Sequence, residues 1–138
     1  MIIQKEITLP SFNRGFHLIT DYILDGIGPF KVTKGILHIF IKHTSASILI
    51  NENSDPSVRD DFESFFNNMV PENQSYYTHI SEGSDDLPAH VKSSIIGNHL
   101  SIPVSKNGLN LGIWQGIYLC EHRNSASERK IVISVIGD

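Results

Sequence analysis

The chain carries seven histidines, at positions 17, 38, 43, 79, 90, 99 and 122. Imidazole is the side chain best suited both to hold a transition metal and to move a proton near neutral pH. Three of the seven stand where chemistry is easily built. His43 ends an apolar run, where a strand gives way to a loop. His79 lies in a long polar segment after Tyr76-Tyr77. His90 lies in the first turn of a predicted helix, whose N-terminal N–H groups also favour anions. Three histidines with one exchangeable water are a common setting for catalytic zinc. The separations, 36 residues from His43 to His79 and 11 from His79 to His90, match no compact motif such as H-E-x-x-H. Spacing alone therefore leaves the plainer reading open, in which each histidine is half-buried and hydrogen-bonded by itself.

Carboxylates and hydrogen-bonding groups gather around the same segments. Glu52, Asp85 and Asp86 could act as general bases or orient imidazole rings. Asp55 has an ordinary explanation, because Asp55-Pro56 is a helix start with aspartate as N-cap and proline at the first helical position. Ser45 and Ser47 flank Ala46 in "HTSASILINENSDP". No G-x-S-x-G elbow and no legible Ser-His-Asp order accompanies them, so they read as hydrogen-bonding residues. Gln115 sits inside an apolar run and needs a partner, since an unpaired buried amide costs about 1–3 kcal/mol. Arg123 and Arg129 bracket the last polar turn, either as solvated residues or as an oxyanion clamp. Cys120 reads as a core thiol.

The elements that position these groups follow from periodicity. Strands are predicted over residues 2–9 and 16–19, and a helix from Thr20, its N-cap, to Ile27. Residues 35–43 alternate, with Leu37, Ile39, Ile41 and His43 on one face. Residues 47–51 continue in extended form. After Asp55, the spacing of Val58, Phe62, Phe65, Phe66 and Met69 makes one apolar helical stripe. Residues 71–86 read as a long loop, of a length that often serves function. A helix over 88–96, burying Val91 and Ile95, precedes three strands, 100–104, 109–122 and 130–136, with a hairpin turn at Asn107-Gly108. Leu111, Ile113, Ile117 and Leu119 share one face of the middle strand, and Trp114, Tyr118 and Cys120 the other. A strand apolar on both faces is central to the domain or covered by another subunit.

These patterns predict an α+β domain spanning residues 1–138, a mostly antiparallel β-sheet or sandwich with two to three helices packed on it. Hydrophobic residues make up 40% of the chain and charged residues 19%, the composition of a globular protein. A net charge of −4 advertises no nucleic-acid partner. The longest apolar runs are far below a membrane span, and the N-terminus lacks a signal-peptide pattern. With its single cysteine, the chain is expected in the cytoplasm.

Four blocks, "RGFHLITD" (14–21), "HTSASILINENSDPSVRDD" (43–61), "EGSDDLPAHVKSSIIG" (82–97) and "LGIWQGIYLCEHR" (111–123), resemble the YjbQ-like family, small proteins described as secondary thiamine-phosphate synthases. The resemblance implies a homotrimer with a histidine-based site. Carried onto this chain, it implies His43, His79 and His90 as metal ligands, with the divalent metal expected to be zinc, or magnesium where a diphosphate substrate brings it. Glu52 and Asp86 are then the candidate catalytic carboxylates, and Ser45, Asn51, Gln115 and Arg129 the candidate substrate-binding residues. The implied chemistry is a metal-dependent reaction of a small phosphorylated metabolite. A metal-hydroxide hydrolase of a phosphorylated or acyl substrate and a non-catalytic metabolite-binding trimer are the alternatives. The turn over 124–128, Asn-Ser-Ala-Ser-Glu, departs from the family's glycine-rich pattern.

Overall fold

A computed structural model describes residues 1–138. In chain order the elements are β1 (Ile2–Leu9), β2 (Gly15–Leu18), α1 (Thr20–Ile27), β3 (Lys34–Ile41), β4 (Ala46–Glu52), α2 (Pro56–Met69), α3 (Asp86–Ile96), β5 (His99–Ser105), β6 (Gly108–Leu109), β7 (Gln115–Glu121) and β8 (Arg129–Gly137). The strands form a five-stranded sheet, β1-β8-β3-β5-β6, and a three-stranded sheet, β2-β7-β4. Every pairing is antiparallel. The fold is α+β, mostly antiparallel, with three helices packed on it.

Period-two alternation builds the core between the sheets. Leu37, Ile39 and Ile41 of β3 and Ile131, Ile133 and Val135 of β8 face Ile48 of β4 and Ile117 and Leu119 of β7. Each such side chain, fully buried, contributes about 1.5–3 kcal/mol. The other face of the small sheet, Phe16, Tyr118 and Cys120, packs under Phe62 and Phe66 of α2 and Ile96 of α3. β7 is thus the central strand of its sheet and buried on both faces within one chain, which accounts for its two apolar sides.

Several local expectations are corrected. Thr20 is the first residue of α1 and not its cap; its Oγ1 instead accepts the N–H of Ile117 at 2.9 Å. The hairpin turns on Lys106 and Asn107, with φ of 53° and 61°, and Ser105 pairs with Gly108. The single strand expected over 109–122 breaks after β6. Gln115 Oε1 accepts the Gly112 N–H at 2.8 Å, and Asn53 Nδ2 donates to the Ile113 carbonyl at 3.2 Å. These bonds shape a turn that leaves Ile113 81% and Trp114 60% exposed. α2 starts at Asp55 as expected, the carboxylate accepting the Ser57 N–H at 3.0 Å, but none of its residues is fully buried. α3 begins at Asp86, two residues earlier than expected. It turns Asp86, Pro88, Ala89, Lys92 and Ser93 inward, while Val91 is only partly buried and Ile95 is exposed.

Candidate metal centre

The inward turn of α3 is what builds a site. Asp86 and His90 are four residues apart on this helix, so their side chains lie one above the other on one face. The segment between α2 and α3 brings His79 to the same place. That segment is tied down by Glu72, which accepts Ser84 Oγ at 2.5 Å and Arg14 Nη1 at 3.5 Å, and by Tyr77, whose hydroxyl donates to the Pro71 carbonyl at 2.7 Å. His79 Nε2 lies 2.7 Å and His90 Nε2 3.1 Å from Asp86 Oδ2. One ligand atom from each of the three residues falls within 4.8 Å of the others.

One ring proton of His90 is fixed by the backbone. Its Nδ1 lies 2.9 Å from the Thr44 carbonyl, which can only accept, so Nδ1 carries a proton. Nε2 then faces a carboxylate oxygen, so either a second ring proton or a cation must lie between them. A divalent cation meets that demand, and a ligating histidine whose other nitrogen donates to a carbonyl is the usual pattern. Arg123 secures the carboxylate from behind. Its Nη1 donates to Asp86 Oδ1 at 2.5 Å, its Nε to Asp85 Oδ2 at 2.8 Å and its Nη2 to the Glu82 carbonyl at 2.9 Å. Burial alone would raise the Asp86 pKa; the hydrogen bond to His79 and the charges of Arg123 and His90 overcome it and hold the carboxyl below its usual range. Two imidazole nitrogens and one carboxylate oxygen are the donors of many catalytic zinc sites and leave coordination positions open. The three residues form a candidate site for a divalent cation.

The other expected site residues are spread more widely. His43 is not among the three clustered residues. Its Nε2 accepts the Lys130 N–H at 2.8 Å, and it shares a pocket of about 280 Å³ with His90, Thr44, Ser93, Ser94 and Asn98. Burial, then the charge of Arg129, lowers the His43 pKa. Arg129 is buried, donating to Glu121 Oε1 at 2.7 Å, Glu121 Oε2 at 2.5 Å and Ser45 Oγ at 3.0 Å. Asn51 Oδ1 accepts the Glu52 N–H. Glu52 accepts the N–H groups of Ser54 and Asp55 at 2.7 and 3.4 Å, which fixes the approach to α2. Gln115 lines a separate cavity of about 510 Å³ with Trp114, Tyr22 and Asp21. Asp86, expected as a base, stands between the two histidines. Ser93 and the orienting role of Thr44 were not legible beforehand, whereas D-x-x-x-H on a helix was a usable signal for Asp86 and His90.

The profile of the family described as "UPF0047 protein YjbQ-like" matches residues 5–138. This chain belongs to that family. It is 47% identical over 139 residues to UPF0047 protein YjbQ of Escherichia coli O157:H7, with all of both chains covered. It is 49% identical over the same length to the Salmonella typhimurium protein, again with full coverage. Among solved structures it resembles a YjbQ/UPF0047 protein from Clostridium acetobutylicum, with a TM-score of 0.82 and 32% identity over 96% of this chain and 99% of that one. A Sulfolobus solfataricus protein shares the fold at a TM-score of 0.85 and 23% identity, over 100% of this chain and 99% of that one.

Proposed function

We propose that the chain is a metal-dependent enzyme acting on a small phosphorylated metabolite, with thiamine-phosphate synthesis as a secondary activity. The observation that carries this reading is the His79–Asp86–His90 cluster, with His90 Nδ1 engaged by Thr44 and its Nε2 facing the carboxylate. Two imidazoles suit zinc better than magnesium, which prefers oxygen ligands. A cation held there would supply Lewis-acid stabilisation of phosphoryl oxygens and lower the pKa of a bound water. The chain's own residues do the rest. Asp86 gives one oxygen to the centre while Arg123 fixes the other, and the N-terminus of α3 adds favourable potential for an anionic substrate. The proposed roles of Ser45 and Arg129 are to stiffen the wall behind His43; Glu52 is assigned to the α2 start.

Metal-assisted hydrolysis is the second reading, and the open coordination positions of a three-donor centre favour it. Elemental analysis of the purified protein tests both. We expect about one zinc per chain, and stoichiometric loss in His79→Ala, Asp86→Asn and His90→Ala. Retention of metal in all three variants would remove the foundation; iron in place of zinc would keep the site and change the chemistry. Activity on phosphate esters that disappears with chelator separates hydrolysis from transfer. We further propose that the protein is a homotrimer, supported by its exposed apolar surfaces. We place it in the cytoplasm, since its single free cysteine suits a reducing compartment. No helix is long and apolar enough to cross a membrane.

A further inference from the structure

Two polar groups that the chain leaves without a partner line the same cavity. Ser93 Oγ is the one buried side-chain nitrogen or oxygen with no hydrogen-bond partner, in a residue only 9% exposed. His43 uses Nε2 to accept the Lys130 N–H. A backbone amide only donates, so the ring proton is on Nδ1, for which the chain supplies no acceptor. Both residues belong to the pocket of about 280 Å³ that His90 of the candidate cation centre also lines. Native interiors pair nearly all buried polar groups. That rule singles out the Ser93 hydroxyl; the Nδ1–H of half-buried His43 on the same pocket is a second free donor, and together they point to an occupant that pairs with both. The pocket opens to solvent and is far larger than a single bridging water needs.

The lining also defines the occupant's chemistry. No charged side chain contributes to it: besides the two histidines it offers Thr44, Ser94 and Asn98. Ser93 and Ser94 belong to the last two turns of α3, where a helix carries partial negative charge, which disfavours a second anionic group. Hydroxyls, which donate and accept, match hydroxyl, amide and imidazole partners.

We infer that the pocket between His43 and His90 is the subsite for the uncharged, hydroxyl-bearing part of the substrate, whose anionic end lies on the cation centre. This rests on the reading above that the substrate is phosphorylated and held at His79, Asp86 and His90. Ser93 and the Nδ1–H of His43 are then the groups that select a hydroxylated substrate over a plain alkyl one.

Calorimetric titration of the zinc-loaded full chain with glycerol 1-phosphate and propyl phosphate tests this. The two probes share charge and carbon count and differ by two hydroxyls. The wild type binds glycerol 1-phosphate at least about tenfold more tightly, because a site built to hydrogen-bond a hydroxyl rejects the analogue lacking it. Ser93→Ala and His43→Gln each shrink that preference and leave propyl phosphate affinity unchanged. Ser93→Ala removes a hydroxyl that bonds nothing in the chain, so its Tm stays level or rises, and loss of preference there is not loss of fold. Equal affinity of the two probes for the wild type overturns the subsite while leaving the phosphate reading intact. A preference unchanged in Ser93→Ala overturns it as well. If neither ester binds and inorganic phosphate fails too, the phosphorylated-substrate reading falls and the subsite with it.

Discussion

His122 lies 2% exposed in the interior, its Nε2 paired with Ser47 Oγ at 2.8 Å. Burial, reinforced by the charges of Lys92, Arg14 and Arg129, pushes its pKa down to about 3. In the unfolded chain a histidine titrates near 6.5. Between those values the unfolded state binds a proton that the folded state refuses, so stability falls as pH drops from about 6.5 toward 3, by up to about 1.4 kcal/mol per unit. His43 is shifted the same way, by burial first and then by Arg129. Asp85 and Asp86 act in a lower window: both are held below the ordinary 3.8, so their contribution is present above that value and is lost as pH falls through their folded values. The slope between pH 7 and 5 is therefore assigned to buried His122, with half-buried His43 adding to it. We expect urea midpoints to decline across that interval, and His122→Gln, which keeps a hydrogen-bonding group beside Ser47, to flatten the decline. An identical slope in the variant would reassign it to other groups.

At the scale of elements, α3 makes the site by burying its polar side. Arg123 reaches it from the end of β7, and Lys92 Nζ donates to Asn67 Oδ1 of α2 at 2.7 Å. The side chain of Asp86 is 2% exposed and that of Arg123 23%. Removing one partner of a buried pair costs about 3–5 kcal/mol, reduced here to about 2–4 by the partial solvation of Arg123. Arg123→Gln is thus expected to lower urea stability by that amount and cation affinity about 10–100-fold in chelator competition, since it frees the carboxylate from its orienting partner. Unchanged cation affinity in a folded variant would deny Arg123 that orienting role. Strands were legible in the sequence because period-two alternation is local: β3, β4 and β8 fall within a residue or two of expectation. So was the start of α2, from Asp55-Pro56. The face that α3 buries was not, because Val91 and Ile95 carry the apolar period while the inward pull comes from Arg123 and Asn67, distant in sequence. His43, His79 and His90 could be named as candidates, but only the fold shows that His79, Asp86 and His90 converge while His43 stands across a pocket.

For the whole molecule, the decisive feature is apolar surface that one chain cannot cover. Phe65, Ile95, Ile113 and Trp114 are 61%, 53%, 81% and 60% exposed. They fall into two unlike patches. Phe65 and Ile95 line a groove of about 740 Å³ with Leu49, Ile50, Phe62 and Phe66, whereas Ile113 and Trp114 form the tip of the turn between β6 and β7. A groove and a projecting tip on the same chain suit a head-to-tail contact between copies, which closes into a ring when the rotation permits. The proposed trimer is such a ring. Light scattering after size exclusion should give about three times the 15.4 kDa of one chain. Ile113→Ser with Trp114→Ser, and separately Phe65→Ser, should each yield the single-chain mass, because a core of large apolar groups dominates interface energy. All three residues of the candidate cation site lie on one chain, so the monomeric variants should still take up the cation. Trimers that persist in both variants would move the interface elsewhere, and a wild type that stays monomeric at micromolar concentration would leave the groove to another partner.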